Sequence, residues 1–260
     1  MKKLIPRIVL FIAFLFATVS CSGDDDNSGS ANLVLIKKVS ETIYLYDNAP
    51  QVYNYDFFYE GTTLKAEKYG SSTININYDG DKITTMELLN GDNELRALTT
   101  YYYTGNVLSY SISGKDYLEK INYSFQNGGL SKVTFGDFTD GNFKLARTEV
   151  FTLDNSLNTT QRTVTYPDDV QDTGYKQVYT FDNKNNPMLN TNKYYRIGSR
   201  FEGFSGADRN NVLTRKTYSL SGELLHTYTY EHIYNEDGFP TEIKQYSEQG
   251  LLTLTTIEYQ

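Results

Sequence analysis

The chain has 260 residues and a formal net charge of −8, with 24 Tyr, 14 Phe, two His, one Cys and no Trp. The length accommodates one large all-β domain or two smaller domains, and a single Cys excludes an intramolecular disulfide framework or a Cys-rich metal site. The acidic balance argues against nucleic acid as a partner, and a mean hydropathy of −0.51 with 22% charged residues argues against a polytopic membrane protein.

Lys2, Lys3 and Arg7 precede an apolar run from Ile8 to Val19. Twelve helical residues would rise about 18 Å, well short of a hydrocarbon core of ~30 Å, so residues 1–20 read as a signal segment rather than a permanent span. The run ends in Thr18-Val19-Ser20-Cys21, which resembles the lipobox of bacterial lipoprotein signals. That resemblance implies acylation of Cys21, cleavage before it, and a membrane partner held through lipid. Removing residues 1–20 takes away three positive charges and no negative one, which moves the net charge from −8 to −11. Residues 21–32 contain the stretch Ser22 to Ser30 with no apolar side chain, so they form a solvated tether. Within it, Asp24-Asp25-Asp26 resembles the acidic stretch that follows the acylated Cys in lipoproteins of the Bacteroidota and directs export to the cell surface. The expected location is the outer membrane, lipid-anchored and facing outward.

From Leu33 to Gln260 the apolar residues alternate with period two. Ile74, Ile76 and Tyr78 oppose Asn75 and Asn77; Ile121, Tyr123 and Phe125 oppose Asn122 and Ser124; Tyr175, Gln177, Tyr179 and Phe181 oppose Lys176, Val178 and Thr180. This is the pattern of half-buried strands, and no long stretch carries a helical stripe. Between strands an aromatic residue or Leu enters a short turn rich in Gly, Asp or Asn, as in Tyr59-Glu-Gly-Thr-Thr-Leu64, Tyr78-Asp-Gly-Asp-Lys-Ile83, Phe125-Gln-Asn-Gly-Gly-Leu130 and Tyr234-Asn-Glu-Asp-Gly-Phe239. Tight hairpin turns need positive φ, which Gly and Asn supply. Most successive anchors are about 20–28 residues apart, enough for two strands and a return, so the chain reads as an array of hairpins.

Tyr78-Asp79 and Phe181-Asp182 resemble the YD repeats of Rhs-type and teneurin-type shells in degenerate form. Phe181-Asp182, Asn186-Pro187, Asn210-Asn211-Val212, Tyr218, Gly222, Tyr230, Tyr234-Asn235, Gly238-Phe239-Pro240 and Glu258-Tyr259 together resemble surface lipoproteins of the Bacteroidota over residues 175–260. The resemblance implies one all-β domain over residues 33–260, an antiparallel meander of consecutive hairpins forming a strongly curved, barrel-like sheet. It implies no activity.

Residues 185–211 break the rhythm. Pro187 suits the first turn of a short helix, and Tyr194, Tyr195, Phe201 and Phe204 predict that the segment packs across the sheet and plugs one end. Long ordered loops are also where binding sites form. On a strand, His226, Tyr228, Tyr230, His232 and Tyr234 share one face. The two His are then roughly 20 Å apart and cannot share a metal. The Asp-rich turns lack the spaced ligands of a calcium loop, no catalytic motif or paired carboxylate stands out, and no cofactor is implied. The chain therefore reads as a non-catalytic surface protein, a binding or adhesion module for a glycan, peptide or partner subunit. An envelope structural or assembly protein is the alternative, and a hydrolase built from scattered acids a third reading. A ligand is expected on Tyr194, Tyr195, Arg196, Tyr228 and Tyr230, with rings about 7 Å apart along the strand for stacking on sugars. The opposing reading places the same rings in the core, with Thr227, Thr229 and Glu231 outward.

Overall fold

The computed structural model describes residues 33–44, 49–115, 118–168, 174–199, 201 and 204–260. The expected signal segment 1–20, Cys21 and the tether 21–32 lie outside these residues. Leu33–Gln260 forms one compact unit. Its strands are β1 (Ile36–Ile43), β2 (Gln51–Glu60), β3 (Thr63–Tyr69), β4 (Ser72–Asp79), β5 (Lys82–Leu89), β6 (Leu95–Thr104), β7 (Val107–Gly114) and β8 (Leu118–Gln126). They continue with β9 (Gly129–Thr139), β10 (Asn142–Leu153), β11 (Thr159–Thr165) and β12 (Tyr175–Phe181). After one short helix, α1 (Lys193–Gly198), come β13 (Val212–Ser219), β14 (Leu224–Tyr234), β15 (Pro240–Ser247) and β16 (Gly250–Tyr259).

Each strand pairs antiparallel with the one before it, and β1 pairs with β16 through Val39↔Ile257 and Glu41↔Thr255. The meander thus closes into a barrel of 16 strands, and closure removes the edges that an open sheet would expose. The two-residue alternation decides which side chains enter the barrel. Ile36, Val39, Ile76, Ile83, Leu108, Val164, Ile243 and Ile257 point inward and are buried, and each such burial contributes about 1.5–3 kcal/mol. Their outward neighbours include Lys38, Asn75, Asn77, Lys244 and Thr256. The inner face also buries Glu41, Glu149 and Gln245, and the outer face exposes Val52, Phe58, Val150 and Ile233 among its polar residues.

One end of the barrel is built from a repeated device. The strand register shifts at Tyr59, Tyr78, Tyr103, Phe125, Leu153, Phe181 and Tyr234, the residues that enter the turns. Each shift places one extra residue on the returning strand, a β-bulge that sharpens the local twist. In five hairpins the extra residue is Ser or Thr, and four of these bond back across the turn. Thr84, Ser131, Thr160 and Thr241 donate their hydroxyls to the carbonyls of Asn77, Ser124, Thr152 and Ile233, at 3.0–3.2 Å. The Asp-Gly turn after Tyr78 needs no ion to explain it, because Gly80 holds φ +62°, as a tight hairpin requires.

The turn-entering residues form a ring around the inside of this end. Tyr78 donates its hydroxyl to the Leu64 carbonyl at 2.7 Å, Tyr103 to Ile83 at 2.9 Å, and Tyr259 to Pro240 at 2.7 Å. In each case the acceptor opens the returning strand of the preceding hairpin, so one hydroxyl ties neighbouring repeats together.

Candidate ligand cavity

The excursion between β12 and β13 closes the ringed end. Asn190 Nδ2 donates to the Val34 carbonyl at 2.9 Å, Asn192 Nδ2 to Asp81 at 2.7 Å, and the Tyr194 hydroxyl to Asn106 at 2.6 Å. On the other side, Asn185 Nδ2 donates to the Asp237 carbonyl at 3.0 Å, and Asn158 accepts from the backbone N–H groups of Arg209 and Asn210 at 3.0 and 2.8 Å. The plug is therefore stitched to the segment that leads into β1 and to four of the surrounding turns. Its helix does not begin at Pro187, as the sequence suggested. Asn192 is the N-cap, accepting from the Tyr194 N–H at 2.9 Å. The residues around Pro187 are instead held by Asn186, which accepts from the Met188 N–H at 2.9 Å.

Two successive tyrosines of α1 divide the lumen. The Tyr195 hydroxyl donates to Glu67 Oε2 on β3, and both residues are buried. Burial raises the Glu67 pKa above its usual value, opposed by the bond from Tyr195. Burial and the adjacent Glu67 likewise push the Tyr195 hydroxyl well up. Tyr194 packs edge-on against Tyr103 at 5.2 Å. The plug thus leans on the β3–β6 side, and the opposite side is left with a cavity of about 640 Å³.

That cavity is bounded by the β8–β9 and β10–β11 turns, by Phe125, Phe151 and Leu153 on the wall, and by Phe201 and Phe204 from the plug. The last two rings stack at 4.7 Å. Its charged groups are mostly cationic: Lys193, Arg196, Arg209 and Arg215 line it, against Asp208 as the one acid among the described lining residues. Asp208 is buried and accepts from the Thr159 N–H at 2.8 Å. Burial lowers the Arg196 pKa, with Asp208 opposing and Arg209 adding to the shift.

Among the residues expected to bind, Tyr194, Arg196 and Tyr230 meet in this cavity. Tyr195 faces away, onto Glu67. Tyr228 is half-buried beneath the Arg215 guanidinium, which lies 4.4 Å over its ring. The stripe from His226 to Tyr234 lies on the inner wall, with Tyr230 only 7% exposed, so its rings do not form an open row for successive sugars. Cys21 lies outside the described residues.

Arg215 and the apolar wall residues were not anticipated. A signal for the wall exists: around the ring the turn-entering residue is Tyr at positions 59, 78, 103 and 234 but Phe or Leu at 125, 153 and 181. Two of those three, Phe125 and Leu153, line the cavity. Elsewhere in the lumen, Glu149 is fully buried and accepts from Arg162 at 2.7 and 2.8 Å and from Arg147 at 2.9 Å. Burial disfavours the charge on Arg162, but Glu149 overrides it and raises the pKa. Among the described residues no three His, Cys, Asp or Glu are grouped to hold a metal.

No protein-family model matches the chain, and no curated protein matches it by sequence. Among solved structures it is similar to a porin-like protein from Bacteroides uniformis, at 12% identity and a TM-score of 0.56, covering 86% of this chain and 97% of that one. It is also similar to a porin-like protein from Bacteroides vulgatus, at 12% identity and a TM-score of 0.50, covering 88% of this chain and 99% of that one. At this identity the likeness concerns the fold: a closed, antiparallel barrel.

Proposed function

We propose that the chain is a non-catalytic envelope lipoprotein of the surface type that the sequence suggests, tethered through Cys21, whose plugged barrel binds a small ligand in its lumen. The observation that carries the binding reading is the cavity of about 640 Å³ between plug and wall, mostly apolar with a few converging polar groups. Its size and lining are those of small-molecule sites. Fold likeness to porin-like proteins of Bacteroides is compatible with an envelope role. The barrel itself is read as standing clear of the lipid. Lys38, Asp56, Glu87, Lys120 and Lys132 occupy outward positions along the strands, and a Lys facing lipid at the midplane would cost about 2–4 kcal/mol. The bilayer is then engaged by acyl chains, and the tether carries the barrel.

The alternative role in assembly loses its simplest route, because a closed meander offers no free strand edge for an incoming strand. The buried acids Glu41, Glu67, Glu149 and Asp208 each hold a structural partner, Tyr55, Tyr195, two Arg side chains and the Thr159 N–H respectively.

The test uses the full chain, expressed, extracted and delipidated, then titrated with the uncharged fluorophore N-phenyl-1-naphthylamine. Saturable one-to-one binding is expected, and Leu130→Trp, which fills the cavity from its wall, should abolish it. A chain with no saturable uptake, or a Leu130→Trp variant that binds as well as the parent, would refute the lumen as the site. Cys21→Ala should lose lipid labelling and leave the membrane fraction; retention there would refute the anchor.

A further inference from the structure

The chemistry of the cavity narrows what it would hold. Two arginines that line it, Arg196 on the plug and Arg215 on β13, have buried Nε–H groups with no acceptor among the described residues. Each side chain is otherwise held in place. Arg196 donates through Nη1 to the Leu189 carbonyl at 2.8 Å, and Arg215 lies over the Tyr228 ring. A buried donor left unmatched costs about 1–3 kcal/mol, and both guanidinium side chains border the same cavity.

The charge balance specifies the missing acceptor. Four cationic side chains line the cavity and the single acid, Asp208, is already engaged by the Thr159 N–H. This cationic lining lies inside a chain whose net charge is −8, so it is not a reflection of overall composition. Asn106, Ser156, Thr159 and Ser205 add neutral polar groups to the lining, while Phe125, Phe151, Leu153, Phe201 and Phe204 supply an apolar face that suits a hydrocarbon body. Arginine binds carboxylate or phosphate through charge-assisted bonds roughly twice as strong as neutral ones.

We infer that the cavity takes an amphipathic anion, its apolar body against Phe125, Phe151, Phe201 and Phe204 and its carboxylate or phosphate head among the cationic side chains that line it, Arg196 and Arg215 foremost. This inference rests on the lumen being the binding site, and it goes further by assigning the class of ligand and the residues that select it.

The experiment is displacement of N-phenyl-1-naphthylamine from the delipidated full chain by four twelve-carbon competitors: dodecanoate, dodecyl phosphate, dodecanol and dodecylammonium. At least one anion should displace the fluorophore at a concentration tenfold or more below that of dodecanol, with dodecylammonium weakest. Which anion is better distinguishes a free fatty acid from a phospholipid-type head. Arg215→Gln should bring anion and alcohol to parity, while Arg215→Lys should keep part of the preference. The ratio of anion to alcohol, read on variants whose circular dichroism melts match the parent, separates selection from folding. Equal displacement by dodecanol and both anions in the parent chain would overturn the inference and leave the lumen site standing. Failure of the fluorophore to bind at all would overturn both.

Discussion

Replacing Tyr195 by Phe tests whether the plug is pinned to the wall by a carboxylate. The substitution deletes one hydroxyl, which donates to Glu67 Oε2 where both residues are buried. Burial already lifts the Glu67 pKa above its usual 4.5, and the bond from Tyr195 opposes that rise. Without the bond, Glu67 should titrate higher still. A carboxyl whose folded pKa exceeds its unfolded pKa binds more protons when folded, so its contribution to stability falls as pH rises through the folded value. Below the usual carboxyl range Glu67 is neutral in both states, and the variant loses a neutral hydrogen bond, about 1 kcal/mol. As pH rises and Glu67 ionises, the bond lost becomes one to a buried carboxylate, about 1.5–3 kcal/mol. For a domain of this size each kcal/mol moves Tm by about 2–4 °C, which gives a fall of about 2–4 °C at pH 4 and about 3–12 °C where Glu67 is ionised. Circular dichroism melts taken upward from pH 4 measure both, and the same change in a Glu67→Gln background should show no such pH dependence. A Tm difference that does not grow as pH rises, or is larger at pH 4, would refute the pin.

Two further predictions concern the wall. Tyr103→Phe removes the bond to the Ile83 carbonyl and should cost about 1 kcal/mol in urea unfolding, whereas Phe125→Tyr places a hydroxyl at the corresponding point of the next repeat and should recover a similar amount. His232 has a buried Nε2 with no acceptor or donor opposite it among the described residues, and its ring stacks on Tyr234 at 5.7 Å. Burial lowers its pKa below 6.5, with Asp182 opposing. Stability from this group is therefore present above pH 6.5 and lost as pH falls through the lowered folded value. His232→Phe should stabilise the barrel at pH 7 and widen its advantage toward pH 5; a gap that narrows instead would be against it.

Much of the wall is legible residue by residue. Ile74, Ile76 and Tyr78 announce both the strand and the side that enters the core, because a period of two admits only one inward set. The turn after Tyr78 is legible because few residues other than Gly hold φ near +62° at no cost. The turns at the far end are less so: Asn90 to Glu94 is a loop organised by the Asn90 side chain, which accepts from the Asp92 and Glu94 N–H groups, and it has no aromatic residue before it. Closure is not legible, because the pairing of Val39 with Ile257 depends on the number and stagger of all the strands between them. The start of α1 is likewise obscured. Pro187 is permissive for a first turn, but the bond from the Tyr194 N–H to Asn192 decides where the helix starts.

The cavity follows from a contrast that no single repeat contains. A Tyr at the turn-entering position ends in a hydroxyl, which Tyr78 and Tyr103 satisfy on a neighbouring hairpin, as Tyr259 at the end of β16 also does, whereas the buried Tyr59 hydroxyl has no partner among the described residues. Each such bond fixes a ring across the seam between two repeats and gives the plug a firm surface, as Tyr103 does for Tyr194. Phe125 and Leu153 carry no hydroxyl, make no such bond, and border the unfilled space. Repetition alone would make every position Tyr and invite the plug to the centre. The change to Phe and Leu on one arc gives that arc an apolar face, while Tyr195 draws α1 toward Glu67 on the other. An off-centre plug and an apolar arc together leave a space that neither wall nor plug fills. The cationic side chains that line it are the part of the lumen least explained by folding, since one acid, Asp208, stands among four cations there and is already engaged by the Thr159 N–H.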